Sequence, residues 1–303
     1  MRNQNIAGSI IKILLAAAFL PFLVARAETS DPRDAGVAVG PQYDSTHVYL
    51  APSDFDAFVR SFTATFEGKP SKRIVTNVLP VPSSTEFQYV WSPVGTLSVF
   101  AFTTPIPFPF GSERTGYLVT DMDQAIKAAR DAGAEVIVEP FKDPLGMDAI
   151  IQFPGSVKTQ LYWHFTPPKY DPLQAIPDNR VYLSRDEADN FVRCFLRFSR
   201  GKVTADQTNA DAGEVGRAGE TYRRIDIESL LGKMRVLVTD GHLPYPFGRE
   251  LMGYQVSDLN ATLEKAKASG AKILFAPYRL HDRATAIIEF PGGYIAEIHS
   301  LSQ

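Results

Sequence analysis

The sequence contains the segment Pro107-Phe-Pro-Phe-Gly-Ser-Glu113, and a closely similar segment, Pro244-Tyr-Pro-Phe-Gly-Arg-Glu250, follows 137 positions later. At the same shift Phe153-Pro-Gly155 matches Phe290-Pro-Gly292, and no gap is needed from position 107 to position 164. A shared order of matches over this length indicates an internal duplication. The proline and glycine residues of the two opening segments are expected to fix a loop path rather than to bind a ligand.

The two copies differ by an insertion upstream of these segments. The shift between the copies is 133 for Phe58-Val-Arg60 and Phe191-Val-Arg193, four residues less than further along the chain. The change falls within Lys202 to Gly219, which is polar and rich in Ala, Asp and Gly. Such a composition is typical of a loop, so we expect this insertion to lie on the surface.

Each copy also contains the pattern of a short amphipathic helix between strands. Met122, Ile126 and Ala129 fall at positions i, i+4 and i+7, which predicts one apolar helical stripe. Asp121 is suited to cap the start of this helix, and Gly133 to end it in a left-handed conformation. The second copy repeats the pattern at Asp258, Leu259, Leu263, Ala266 and Gly270. The alternating segments around the helices predict the order strand, helix, strand, strand, strand (βαβββ) in four modules.

A length of 303 residues is enough for two domains. Two βαβββ modules per domain predict a first domain over residues 45–166 and a second over residues 179–303, joined by a Pro-rich linker at 167–178. The formal charge of −3 argues against a dedicated nucleic-acid binder, because phosphate contacts require a basic excess.

The first 27 residues have the composition of a secretory signal peptide. Arg2 and Lys12 precede an apolar run of 12 residues, and Ala25-Arg26-Ala27 is a small-x-small cleavage signal. Since a membrane span takes about 20 apolar residues, we expect cleavage and no membrane anchor after processing. Cleavage removes three basic residues and no acidic one, which takes the formal charge from −3 to −6. The prediction is a periplasmic or secreted protein with a short leader at residues 28–44.

Cys194 is the only cysteine of the sequence, which excludes an intramolecular disulfide and a Cys-rich zinc site. Its neighbours are apolar at helical spacing, so we expect a core thiol rather than a nucleophile. The sequence also lacks the glycine-rich loops of nucleotide-binding proteins and the short motifs of common hydrolases. These observations disfavour nucleotide cofactors and standard hydrolase chemistry.

The repeated pattern resembles the vicinal oxygen chelate superfamily, which includes glyoxalase I, extradiol dioxygenases, fosfomycin-resistance proteins and bleomycin-binding proteins. The resemblance covers roughly residues 45 to 303 and is carried by Tyr117-Leu-Val-Thr-Asp-Met-Asp123, by Asp131-Ala-Gly-Ala134 and by Phe153-Pro-Gly155, with their copies in the second half. It implies an α+β fold of tandem glyoxalase-like domains, each made of two βαβββ modules that form a U-shaped open sheet. The groove of such a sheet binds a ligand, although the fold by itself does not fix the chemistry.

In that superfamily a divalent metal is held by side chains of the first, fifth and last strands of a domain. The resemblance places His47, Arg114 and Gln160 at these positions in the first domain, and Arg180, Leu251 and Glu297 in the second. A guanidinium has no lone pair to donate and leucine has no donor atom, so neither set is complete. We therefore expect no metal cofactor. The alternative is a divalent metal ion held by His47, Gln160 or Glu297.

Two of the first-domain positions have two interpretations each. His47 is either a metal ligand or general base, or a groove-facing polar residue that is hydrogen-bonded to Gln160 or Tyr49. Arg114 is either an anion hook that grips a carboxylate or enolate, or the ion-pair partner of Glu113.

In the second domain, Arg180 and Glu297 are expected to pair, with the guanidinium in the place of the metal, rather than to catalyse. Residues two apart on a strand share a face, so further aromatic and polar side chains, among them His164, are expected to face the two grooves. The alternative is that Tyr49 and Tyr182 only fill closed grooves. The candidate ligand-binding residues are His47, Tyr49, Arg114, Gln160, Tyr162, Arg180, Tyr182, Glu297 and His299.

Three functions follow from this pattern. The first is an exported, metal-free protein that binds a small anionic or aromatic molecule in a β-sheet groove, as a binding protein or as an enzyme of unassigned reaction. The second is a metal-dependent lyase or dioxygenase of the superfamily. The third is a structural protein with closed grooves and a protein partner.

Overall fold

The structure is a computed structural model that describes residues 36–78, 81–280 and 283–301, and all structural statements concern these residues. The predicted signal peptide and the first part of the predicted leader lie outside the described residues. The described end of the leader runs beside the first sheet, where the backbone N–H of Val39 donates to the carbonyl of Leu118 at 3.0 Å.

The described chain contains four α-helices, which are α1 (Phe55–Phe66), α2 (Met122–Ala132), α3 (Arg185–Ser199) and α4 (Leu259–Ala268). The strands of the first half are β1 (Ser45–Leu50), β2 (Lys69–Pro70), β3 (Ile74–Thr76), β4 (Thr85–Ser92), β5 (Gly95–Phe102), β6 (Thr115–Leu118), β7 (Glu135–Lys142), β8 (Gly146–Phe153) and β9 (Val157–His164). The strands of the second half are β10 (Asp178–Leu183), β11 (Lys202–Asp211), β12 (Thr221–Ser229), β13 (Gly232–Val238), β14 (Leu251–Gln255), β15 (Lys272–Arg279), β16 (Arg283–Glu289) and β17 (Ile295–Leu301).

The strands form two sheets of the same topology. The first sheet has the order β2-β4-β5-β1-β6-β9-β8-β7, with β3 also paired to β4, and the second has the order β11-β12-β13-β10-β14-β17-β16-β15. In the first sheet β1 and β6 join the two modules in antiparallel fashion, while each of them pairs in parallel with the last strand of its own module. The βαβββ order occurs in four modules, with two short strands, β2 and β3, in the place of one in the first module, and this confirms the predicted α+β fold of tandem glyoxalase-like units. The predicted domain boundaries stay a prediction.

The predicted helix ends are confirmed in both copies. The side chain of Asp121 accepts the backbone N–H of Gln124 at 2.8 Å, and Gly133 ends α2 with a φ of 97°. Asp258 caps α4 in the same way, and Gly270 follows that helix with a φ of 99°. A glycine is favoured at both ends because a side chain at this φ is strained.

The helices pack in pairs that join the two halves of the chain, α1 against α4 and α2 against α3. Phe153, which lies in the first of the repeated Phe-Pro-Gly segments, contacts three phenylalanines of α3 with ring centroids 5.5 to 5.8 Å apart. Phe290, its copy, packs in the same way against Phe58 and Phe62 of α1. Each main core therefore contains residues of both halves, and neither half buries its own helices alone.

The insertion at 202–219 is not the surface loop that its composition predicts. Lys202–Asp211 forms the edge strand β11 and pairs with β12, and the turn Ala212–Val215 that follows is buried. The prediction of a loop was wrong because the polar residues of 202–211 form a mostly exposed edge strand, and because the acidic Glu214 is matched by buried arginines of the sheet.

Cys194 is buried in the core between α2 and α3, as predicted for a structural thiol. Burial raises the pKa of its thiol to about 11, so the thiol stays protonated at neutral pH. Among the described residues, none of the helices is long and apolar enough to cross a membrane.

Candidate functional site

The concave face of the first sheet contains a cavity of about 160 Å³. Phenylalanine and tyrosine rings form a large part of its wall, and neighbouring rings contact one another with centroids 4.7 to 5.2 Å apart. The rings concerned are those of Tyr49, Phe87, Tyr89 and Phe100. Phe110, from the first of the two opening repeat segments, also lines the cavity, so this segment contributes one ring to the wall.

Strand alternation correctly places most of the first-domain candidates on this face. His47 and Tyr49 of β1 line the cavity, and so do Gln160, Tyr162 and His164 of β9. They come together because β1 and β9 both flank β6 in the sheet and because residues two apart share a face. Whether these residues bind a ligand stays a prediction.

His47 lies beside a buried carboxylate that the sequence analysis did not place in the groove. Its Nδ1 is 3.4 Å from Oε1 of Glu113, and both side chains are almost fully buried. The hydroxyl of Tyr49 donates a hydrogen bond to the same oxygen rather than to His47. Burial, together with the negative charge of Glu113, raises the pKa of Tyr49 well above its usual value. Tyr49 therefore keeps its proton and holds Glu113 in place.

Glu113, rather than Arg114, contacts His47, and neither of the two residues is among those that line the cavity. Arg114 is half-buried, and its backbone carbonyl accepts the N–H of His47 at 2.8 Å. Burial raises the pKa of Glu250 to about 7, while a hydrogen bond from Asn179 and the charge of Arg114 lower it in part. The geometry thus favours neither the anion hook nor a pair with Glu113.

Gly116 explains how His47 fits into the sheet. A Cβ atom at Gly116 would lie 2.7 Å from Nε2 of His47, so a larger residue would displace the imidazole. Gly253, its copy, stands in the same relation to the second groove, where a Cβ would lie 2.8 Å from both Arg180 and Glu297. The repeated glycine leaves room for the polar side chain of the neighbouring first strand.

Asp148 is a candidate residue that the sequence analysis missed. It lies on β8 opposite Tyr162 and lines the cavity with Asp143 from the loop before that strand. Burial and the negative charge of Asp143 raise the pKa of Asp148 to about 8, although a hydrogen bond with Gln160 lowers it in part. A carboxyl group of this kind is a typical acid–base or binding group. The signal in the sequence was an aspartate two residues before Ile150, in a strand that is otherwise mostly apolar.

The second sheet has a network of charged side chains at the corresponding place. Arg180 lies 3.1 Å from Glu297 and 3.2 Å from Asp178, so the expected pair is present. A second guanidinium, that of Arg283, lies 3.5 Å from Glu297, and Nδ1 of His299 lies 2.8 Å from it. Burial would raise the pKa of Glu297, but these positive charges hold it well below its usual range. The network is buried and internally satisfied for the most part.

Apolar side chains and the insertion occupy the rest of the second concave face. Glu214 accepts the hydroxyl of Tyr222 and the guanidinium of Arg224, each at 2.5 Å. Beside it Phe247, from the second opening repeat segment, packs in an apolar cluster with Leu251, and Tyr182 packs against that cluster. The second groove therefore carries a packed interior at the place where the first has a cavity.

The residues present do not fit a divalent metal in the manner of the superfamily. In the second groove, guanidinium groups surround Glu297 where a cation would lie, and a guanidinium cannot coordinate. In the first groove His47 and Glu113 supply two donors, and the described residues contain no group of three or more His, Cys, Asp or Glu side chains that could hold a metal. The alternative set of His47, Gln160 and Glu297 is divided between the two sheets.

No protein-family model and no curated protein matches the sequence. Several solved structures match the fold. A mutant of 4-hydroxymandelate synthase from Streptomyces coelicolor matches with a TM-score of 0.60 at 12% identity, over 88% of this chain and 93% of that one. A Mn(II)-bound glyoxalase from Novosphingobium aromaticivorans matches with a TM-score of 0.51 at 13% identity, over 88% and 82%. A 2,3-dioxygenase from a Pseudomonas species matches with a TM-score of 0.51 at 11% identity, over 89% and 95%.

Identities this low show a shared fold and leave the activity open. The matches extend over most of this chain and most of each of the three solved chains. They agree with the four βαβββ modules and the paired strands at the centre of each sheet. The chain therefore has the fold of the vicinal oxygen chelate superfamily.

Proposed function

We propose that the protein binds a small organic molecule in the cavity of the first sheet, without a metal cofactor, and that the second groove is structural. The observation that carries this proposal is the difference between the copies. One concave face has a cavity lined by aromatic and polar side chains, and the other is occupied by ion pairs around Glu297 and by an apolar cluster. A concave, mostly apolar site with a few polar groups is the usual form of a small-molecule site.

The size of the cavity favours a ligand with one ring. An apolar cavity of about 150 Å³ is known to hold benzene, and the cavity here is about 160 Å³. Its stacked aromatic wall can contact a flat ring, while His47, Gln160 and Asp148 can bond to polar substituents. We also propose that the protein acts after export, in the periplasm or outside the cell, because the first 27 residues have the pattern of a signal peptide.

A matched pair of variants tests the binding proposal. Thr76 lines the cavity from the edge strand β3, and the neighbouring Val75 is 73% exposed on the other face. Thr76→Trp should fill the cavity, whereas Val75→Trp adds the same bulk outside it. A panel of single-ring compounds should raise the melting temperature of the wild type and of Val75→Trp, but not of Thr76→Trp. Equal shifts in both variants, or no shift in the wild type across the panel, would contradict the proposal.

A metal-dependent lyase or dioxygenase is the second candidate. One observation that favours it is the Mn(II)-bound glyoxalase among the similar structures. The other is that two buried atoms, Nδ1 of His47 and Oε2 of Glu113, have no hydrogen-bond partner in the described part of the chain. The test is metal content after incubation with Zn, Ni, Mn or Fe and desalting. One retained equivalent that is lost in His47→Ala and Glu113→Gln, but kept in His299→Ala of the other groove, would establish this candidate against the metal-free proposal.

A further inference from the structure

The carboxyl groups that line the cavity of the first sheet have no positively charged partner among the lining residues that the structure describes. Asp143 and Asp148 line it, and no lysine or arginine is among the described residues that do so. Arg114, the cation expected from the sequence to face this groove, lies outside the lining residues. Burial lowers the pKa of His164, the histidine nearest the two aspartates, so this side chain stays neutral at pH 7.

We propose that the ligand of this cavity carries a positively charged amino group, which binds Asp148 beside the aromatic wall. This inference rests on the proposed binding function and specifies the class of ligand. It departs from an anionic ligand, for which the lining residues offer no positive charge.

The position of Asp148 supports a role in binding. It is held on a regular strand by the pairing of β8 with β9, and its neighbours there are Tyr162 and Gln160. Asp143 is fixed separately, because its Oδ1 accepts the backbone N–H of Leu145 at 2.9 Å and that of Gly146. The turn thus holds a second negative charge beside the cavity, and no arginine or lysine forms an ion pair with Asp148 in the described structure.

The neighbouring rings favour the same class of ligand. Tyr89 lines the same cavity as Asp148 and Asp143, and burial together with the charges of Tyr170 and these two carboxyl groups raises its pKa. Phe87 contacts Tyr89 edge to face at 4.7 Å and extends this wall. Ring faces attract cations, and an ammonium group that also meets a carboxylate gains a charge-assisted hydrogen bond. Without a countercharge the pKa of Asp148 is raised to about 8, and an ammonium ion would supply this countercharge and favour the ionised carboxylate, whose proton goes to the solvent.

The experiment compares three ligands that share one ring, namely benzylamine, benzyl alcohol and benzoate. Isothermal titration of the wild type at pH 8.5, above the pKa of about 8 of Asp148 and below that of the amine, should give an affinity for benzylamine at least tenfold higher than for benzyl alcohol. Benzoate should bind most weakly. Asp148→Asn keeps the shape and hydrogen-bonding capacity of the side chain but removes the charge. In this variant the preference for the amine should fall to less than threefold, while the affinity for benzyl alcohol stays within twofold of the wild type.

Asp123→Asn is the matched control, because Asp123 is an exposed residue of α2 and its loss changes the net charge by the same amount. This variant should keep the tenfold preference. The inference would be overturned if the wild type bound the amine and the alcohol equally well, if it bound benzoate more tightly, or if Asp148→Asn kept the preference for the amine. Each of these outcomes would leave the binding function in place. Absence of binding by all three ligands, together with no response to the wider panel, would refute both.

Discussion

Replacing Glu297 by glutamine should destabilise the protein more than replacing Glu297 and Arg180 together. The carboxylate is 1% exposed and is shared by the guanidinium groups of Arg180 and Arg283, at 3.1 and 3.5 Å. A neutral amide leaves both of these buried charges without their common counterion. The loss of one member of a buried ion pair costs about 3–5 kcal/mol, and we expect Glu297→Gln to lie in this range.

The double variant Arg180→Met, Glu297→Leu removes one positive and one negative charge. Arg283 then keeps Glu214 at 3.4 Å, and Asp178 keeps Nε2 of His299 at 4.0 Å. Since buried ion pairs are often replaced by apolar residues at little cost, the double variant should recover at least half of the stability lost in Glu297→Gln.

The assay is urea unfolding followed by circular dichroism at pH 7, with the slope of the transition checked for each variant. In thermal unfolding, a loss of this size corresponds to a fall in melting temperature of roughly 6–20 °C. A cost of less than about 1 kcal/mol for Glu297→Gln, the scale of an exposed ion pair, would refute a stabilising role of the buried pair. A double variant that is no more stable than the single variant would refute it as well.

Three further results are expected. Between about pH 4 and pH 2 the wild type should lose more stability than the Arg180→Met, Glu297→Leu double variant, because the lowered pKa of Glu297 contributes stability only while its carboxyl is ionised. The measurement is an acid titration followed by circular dichroism. In thermal melts the stability of Asp148→Asn relative to the wild type should rise as the pH rises from about 4 to about 8. The folded wild type, in which the pKa of Asp148 is raised to about 8, holds a proton that the unfolded chain releases, and equal pH profiles would contradict this. Phe62→Ala should cost about 3–5 kcal/mol and lower the temperature of one common calorimetric transition, because the ring centroids of Phe62 and of Tyr254 in the second half are 5.8 Å apart. Two separate transitions would show that the halves unfold independently.

The fold was predictable because its signals are local and occur twice. Asp121 and Gly133 mark the ends of one helix by their own backbone requirements, and the same residue types return at the same spacing in the second copy. Residues two apart on β1 and β9 share the concave face, as strand geometry requires. A duplication thus allowed each assignment to be checked against its copy.

The site was less predictable, because it depends on where regular structure stops. Strand β6 begins at Thr115, so alternation does not extend to Glu113 and Arg114, and the sequence pointed to Arg114 where the structure brings Glu113 beside His47. The second groove depends on contacts across strands, such as that of Glu214 with Arg224, which no local pattern reveals. Asp148 lay outside the positions that the family pattern marks, although its carboxyl faces the same cavity.

The packing of Phe153 and Phe290 against helices of the opposite halves has a consequence for any change in the length of the chain. Each copy completes the core of the other, so a deletion of either copy would expose the apolar helix faces of the copy that stays. Both copies should therefore be required for folding, whatever either groove binds, and the second groove can consist of internal ion pairs without making its copy dispensable.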